Sequence, residues 1–324
     1  MKFAIVGAGA IGAFLGARLS NAGHDVYLIA RGPHLRAMQA NGIKVLSPEG
    51  DFEARPVATD DYEAVGVVDF VFITVKAHSL PEIAPRLRAL FVSETPVVSA
   101  QNGIPWWYFQ RHGGPLEGTR LESLDPSGVI SAAIVPERVI GCIVYPSAVV
   151  VEPGVVRHIE GDRFAIGELD GIATDRCRRL AGVLTESGLR GPIRSRIRSD
   201  LWVKLLGNLA FNPISALTRA TLVEIVTHRE AGALARAVME EADAVARAVG
   251  VEIPISIDRR MAGAEQVGRH KTSMLQDLEA GRPLELESIV GAVVELGDKL
   301  GVPMPNTKAV YACARLLAEG ASAG

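Results

Sequence analysis

The chain has 324 residues, 48% of them hydrophobic, which is enough apolar material for two cores. A formal net charge of -3, with no long run of one sign, argues against a nucleic-acid partner or an anionic membrane surface. The three cysteines, Cys142, Cys177 and Cys313, are widely spaced and lack a C-x-x-C pair, so they suggest neither a disulfide framework nor a zinc site, and a reducing cytoplasm suits them.

The opening "MKFAIVGAGAIGAFLGARLSNAGH" has the lysine and apolar run of a secretory signal, but Gly7, Gly9, Gly12 and Gly16 cut that run. It reads instead as strand, turn and helix. Gly7-x-Gly9-x-x-Gly12 follows an apolar strand directly and opens a helix. Such glycines allow a sharp turn, close approach of the backbone to a pyrophosphate, and tight helix-on-strand packing. Ala8, Ala10 and Ile11 complete the turn, whose helix N-terminus offers amides and a favourable dipole to an anion.

The second strand, "DVYLIA", ends at Ala30 and Arg31 where an NAD-selective turn would place an acid. A guanidinium there pairs with a 2′-phosphate, so NADP(H) is the expected cofactor. Further strands are expected at "DFVFITVK", "TPVVSAQNG", "VIGCIVYPSAVVV", "GVVRHIE" and "DRFAIGEL", giving a largely parallel, helix-covered sheet whose later runs can extend it antiparallel. Lys76 and Asn102 fall just past the carboxyl ends of two of these strands, the edge at which such sheets bind ligands. Taken singly, each also suits an ordinary surface turn.

From about residue 197 the texture becomes helical throughout. The expected organisation is an α/β Rossmann-like dinucleotide-binding domain over 1–196 and an all-α domain over 197–324, with only the "EGASAG" tail disordered. No stretch is apolar for long enough to make a membrane helix. Within "DLWVKLLGNLAFNPISAL", Lys204, Asn208 and Asn212 recur every four residues and line one ridge flanked by leucines. A buried polar ridge is costly unless something polar lies against it. Spacing alone equally suits a snorkelling lysine. Pro213 leaves the Leu209 carbonyl without an amide, and a bend there would turn that oxygen outward. "PWWYF" is the densest aromatic cluster; it suits the private core of a folded loop, with a lid over a ligand cleft as the sharper alternative for 104–139.

Taken together, "GAGAIG" with Arg31, "VKAH", "QNG", "WVKLLGNLAFNPISAL" and "TSMLQDLEAGRPLELESIVG" resemble the ketopantoate reductase (2-dehydropantoate 2-reductase) family over nearly the whole chain. The resemblance implies a Rossmann domain, a helical domain and an active site in the cleft between them. It also implies NADPH-dependent reduction of the 2-dehydropantoate ketone in pantothenate biosynthesis. Matched by motif, Lys204 is the catalytic lysine, acting as general acid, and Glu285 the active-site glutamate. Asn102, Asn208, Asn212 and Ser273 bind substrate, and Lys76 and Asn102 also border the cofactor. Without the resemblance, Ser273 would be an N-cap and Glu285 a surface acid. Two departures bear on the substrate: the long segment between "QNG" and "GCIVYPSA", and "TRATLVE", which lacks a further asparagine of some relatives. A different small hydroxy-acid dehydrogenase of the same build, or a non-catalytic NADP(H) sensor, is the competing reading. The partner is a small 2-oxo acid, and a homodimer stays open.

Overall fold

The computed structural model describes residues 1–322. By internal contacts the chain forms two compact units: Met1–Gln101, Phe109–Thr119 and Asp125–Ile197 make the first, and Asn102–Tyr108, Arg120–Leu124 and the chain from Arg198 onward make the second. The sequence texture changes once, near 197, whereas two earlier segments also join the helical unit through tertiary contacts that leave no trace in composition.

In the first unit the strands are β1 (Lys2–Val6), β2 (Asp25–Ile29), β3 (Ile43–Leu46), β4 (Phe52–Ala54), β5 (Val57–Thr59), β6 (Phe70–Ile73), β7 (Val97–Ser99), β8 (Val139–Val144), β9 (Ser147–Glu152), β10 (Val155–Glu160) and β11 (Phe164–Glu168). The main sheet has the order β11-β8-β7-β6-β1-β2-β5 and is parallel except for β11, which pairs antiparallel with β8. Strands β9 and β10 do not extend it. They join β3 and β4 in a separate four-stranded sheet, so the run "VIGCIVYPSAVVV" is divided between two sheets at Tyr145 and Pro146. The short strands β3 to β5 have too few alternating residues to stand out in sequence.

Helix α1 (Ala10–Asn21) packs against both sheets. That position explains its apolar circumference, with Ala13, Phe14, Leu15, Ala17 and Leu19 all buried. Phe14 stacks on His158 of β10 at 4.4 Å between ring centroids, and Gly16 leaves room for Leu28 of β2. Helices α2 (Gly32–Asn41) and α3 (Asp175–Glu186) complete the long helices of this unit.

The second unit contains α4 (Ile197–Thr218), α5 (Leu222–Thr227), α6 (Arg229–Ala248), α7 (Ile257–Val267), α8 (Ser273–Glu279), α9 (Ala292–Leu300) and α10 (Pro305–Ser322). Helix α4 runs unbroken through Pro213. Helix α10 continues to Ser322, so the expected tail is helical over its first four residues; 323–324 lie outside the described residues. The aromatic cluster is not a loop's private core. Trp107 and Tyr108 are fully buried within the helical unit, where Trp202 Nε1 of α4 donates to Tyr108 Oη at 2.7 Å. Arg198 Nε donates to the Tyr108 carbonyl at 2.7 Å, while Phe109 belongs to the first unit. Among the described residues no helix is long and apolar enough to cross a membrane, and no group of three His, Cys, Asp or Glu is placed to hold a metal.

Candidate active site

Each glycine of the first turn has a different task. Gly7 has φ +101°, and a Cβ on it would lie 2.6 Å from the Val75 nitrogen, so neither the conformation nor the space admits a side chain. A Cβ on Gly12 would lie 2.6 Å from Thr74 Oγ1. Around Gly9, by contrast, a Cβ would meet nothing within 4 Å, which leaves the backbone open on that side. Gly9 is the extended N-cap of α1, and no side chain caps the helix. The first-turn amides at Ala10, Ile11 and Gly12 are therefore available to a pyrophosphate. Thr74 Oγ1 donates to the Gly7 carbonyl at 2.8 Å and pins the turn to β6.

Beside this turn lies a cavity of about 140 Å³ lined by Gly7, Arg31, Asp60, Tyr62, Glu82 and Arg86 among others. Arg31 is the exposed N-cap of α2. The Arg86 guanidinium lies 4.4 Å over the Tyr62 ring and donates to the Asp60 carbonyl at 3.2 Å. Burial pushes the Tyr62 hydroxyl above its ordinary range, with Arg86 and Arg31 pulling it down. A guanidinium over an aromatic ring, beside a second arginine, is a setting that suits a nucleotide. Lys76 caps the short turn Ala77–Ser79, half-buried, and is not among the residues lining this cavity.

In the second unit the polar ridge of α4 is realised. Lys204 is half-buried between the buried Leu201 and Leu205, and its Nζ donates to Asn102 Oδ1 at 2.8 Å. Asn102 Nδ2 in turn donates to Glu285 Oε2 at 3.3 Å. One amide thus presents its oxygen to the ammonium and its nitrogen to the carboxylate, an orientation only that pair of neighbours satisfies. Asn208 is half-buried on the next turn. Asn212 is 4% exposed, and its Nδ2 stands 3.5 Å from Ser273 Oγ. Ser273 is exposed and is the first residue of α8; the cap is Thr272, whose Oγ1 accepts from the Leu275 amide at 3.3 Å.

Glu285 lies two residues before a π-helical turn, Glu287–Gly291, a backbone irregularity that the sequence pattern does not announce. Glu287 points elsewhere, accepting from Tyr311 Oη at 2.9 and 2.8 Å.

Two family models match the chain: "Ketopantoate reductase PanE/ApbA" over residues 3–107, and "Ketopantoate reductase PanE/ApbA C terminal" over 196–318. The chain belongs to the ketopantoate reductase family. A 2-dehydropantoate 2-reductase of Mesorhizobium japonicum is 50% identical over 320 residues, 98% of each chain. Among solved structures, a candidate ketopantoate reductase of Ralstonia solanacearum is 39% identical with a TM-score of 0.94, over 98% of each chain. A D-mandelate dehydrogenase solved with NADH and anilino(oxo)acetate shares the fold at 22% identity and a TM-score of 0.85, over 99% of each chain.

In this ketopantoate reductase family chain, Lys204, Asn102 and Glu285 form one hydrogen-bonded group, and Asn212 and Ser273 stand together in a second. Gly7, Gly9, Gly12 and Arg31 lie in the other unit. Sequence reasoning missed Thr74, Tyr62 and Arg86. Thr74 was findable as a polar residue closing an apolar strand. Tyr62 and Arg86 come from separate short helices and meet only in three dimensions.

Proposed function

We propose that this chain is an NADPH-dependent reductase of 2-dehydropantoate or a closely related 2-oxo acid, with residues 1–196 holding the cofactor and 197–324 most of the substrate groups. The observation that carries the reading is the chain Lys204 to Asn102 to Glu285, assembled in a protein half identical to a 2-dehydropantoate 2-reductase. A cofactor sensor would need the glycine turn but not this triad.

A nicotinamide cofactor, when bound, would supply the hydride. Reduction of a ketone leaves an alkoxide, which needs a proton donor within hydrogen-bond reach. Lys204 is that donor: its ammonium polarises the carbonyl oxygen and then releases a proton to it. Asn102 aims the ammonium, and Glu285 fixes the amide of Asn102 so that its oxygen faces Lys204. Asn208, Asn212 and Ser273 offer hydrogen bonds to the polar groups of the acid. The amides of Ala8, Ala10 and Ile11, with the three glycines, hold the pyrophosphate. Arg31 takes the 2′-phosphate, seconded by Arg86, and Lys76 borders the phosphates. A related small hydroxy-acid dehydrogenase is the second reading, favoured by the long 104–139 segment.

The test is turnover with NADPH and NADH against a panel of 2-oxo acids including 2-dehydropantoate, followed at the nicotinamide absorbance band. Preference for 2-dehydropantoate with NADPH is expected. Cofactor binding without turnover of any acid would exclude the reading.

A further inference from the structure

The substrate proposed above is an anion, yet the donors assigned to it by motif, Asn102, Asn208, Asn212 and Ser273, are all neutral. The helical unit holds a cation that no motif singles out. Arg260 lies near the start of α7, half-buried, with its Nε fully withdrawn from solvent. Its guanidinium lies against Gly207 of α4: a Cβ at 207 would stand 2.5 Å from Arg260 Cζ and would overlap Nε and a terminal nitrogen. Gly207 follows Lys204 by three residues and precedes Asn208 by one. At about 100° per residue it therefore lies on the same side of the helix, one turn along from the lysine.

Glycine at this position is not required by the backbone. It sits mid-helix in ordinary helical conformation, where glycine is less favourable than alanine. What it provides is a flat place on the helix for a planar group. The neighbouring positions carry leucine, asparagine and valine, none of which would leave that space.

Building on the reductase reading, we propose that Arg260, seated on Gly207 beside the Lys204–Asn208 ridge, recognises the carboxylate of the 2-oxo acid and so determines the substrate class. A guanidinium presents paired N–H donors matched to a carboxylate, and its fixed positive charge is independent of pH in the working range. Placed one helical turn from the proton donor, it would hold the carboxylate while the adjacent ketone oxygen meets Lys204. Selection of 2-oxo acids over simple ketones then follows from the spacing of two cations on one side of α4, Lys204 carried by it and Arg260 seated against it.

Arg260→Ala, Arg260→Lys and Gly207→Ala test this in the intact protein with the best acid of the panel. In Arg260→Ala the KM for the acid is expected to rise roughly 10- to 100-fold while NADPH affinity and thermal midpoint stay near wild type. Added guanidinium ion should recover part of the loss. Arg260→Lys, which keeps the charge but not the fork, should fall between. Gly207→Ala, which displaces the guanidinium, should raise KM in the same direction. An unchanged KM in Arg260→Ala, or a parallel fall in stability, NADPH affinity and turnover with no guanidinium rescue, would overturn the assignment. If wild type reduces no 2-oxo acid but turns over another carbonyl, the reductase reading of the substrate has failed, and this inference with it. Normal turnover of the acid by the Arg260 variants would refute the inference alone.

Discussion

Gly103 lies against the backbone of Ser288: a Cβ built on it would overlap the Ser288 carbonyl and stand 2.9 Å from the Ile289 nitrogen. The adjacent Ile104 amide donates to that same carbonyl at 2.8 Å. Ser288 lies inside the π-helical turn that follows Glu285, so the contact locks the segment carrying Asn102 to the segment carrying Glu285. Gly103 also has φ +83°, outside the comfortable range of other residues.

Gly103→Ala should therefore act on both stability and chemistry. Adopting the left-handed conformation alone costs about 1–2 kcal/mol, and relieving the overlap must move Asn102. The expected result is a lowered thermal midpoint together with reduced kcat at saturating substrate. A variant with normal kcat would mean that Asn102 keeps its place without this contact.

Lys204 is the proton donor in the proposed reaction. Lys204→Ala should lower kcat by about 10²–10⁴-fold, the usual contribution of a positioned acid, and leave NADPH binding nearly intact. Asn102→Ala should lower kcat less, because the ammonium remains but is no longer aimed by the amide oxygen. Steady-state rates and cofactor titration by fluorescence separate the two quantities. Retained kcat in Lys204→Ala would remove the lysine from the chemistry.

The cavity beside the glycine turn makes a separate prediction about the cofactor. It holds two arginines, Arg31 and Arg86, but also Asp60 and Glu82. Arg31→Asp should raise the KM for NADPH far more than that for NADH, since a carboxylate repels the 2′-phosphate and tolerates a hydroxyl. Arg86→Gln should show the same selectivity at smaller amplitude while keeping its packing over Tyr62. Equal losses for the two cofactors would make these residues structural.

The glycine turn and the α4 ridge were legible in the sequence because each is local: a six-residue motif and a period of four on one helix. The partner of Lys204 was not legible from period alone. Asn102 lies 102 residues before Lys204, and Glu285 lies 183 residues after Asn102; family motifs rather than spacing brought them together. The aromatic cluster shows the opposite failure. "PWWYF" reads as one loop core because its residues are adjacent, but Tyr108 pairs with Trp202 of α4 and Phe109 turns into the other unit. The small strands β3 and β4 were missed for the same reason: β3 is stabilised by pairing with β10, more than a hundred residues later, and β4 joins the sheet only through β3.

Tyr108 and Trp202 brace the helix that carries Lys204. Burial pushes the Tyr108 hydroxyl up to about 12, while its bond from Trp202 and the nearby Arg198 work in the other direction. Tyr108→Phe removes the acceptor and leaves a buried indole N–H without it, at a cost of about 1–3 kcal/mol. Chemical denaturation should register that loss with an unchanged m-value. A kcat close to wild type is expected, because no reacting group is touched.

The acid side of the stability profile should depend on Glu241 of α6. Burial tends to raise its pKa, but hydrogen bonds from the side chains and amides of Thr307 and Asn306 outweigh that and hold it below the ordinary carboxylate value. All four donors lie within 2.6–2.9 Å, and together they tie Glu241 to the first turn of α10. A lowered folded-state value means that the unfolded chain binds more protons in the window between the two values. The stabilisation is therefore present above the unfolded value, near pH 4.3–4.5, and is lost as pH falls through the folded one. Glu241→Gln should lower stability near neutral pH by about 1–2 kcal/mol, a figure reduced for partial exposure. The gap from wild type should then narrow as pH falls below 4. Denaturation curves at pH 7, 5 and 3.5 decide it: a gap constant across the three would mean that packing of the side chain, not its charge, fastens α10.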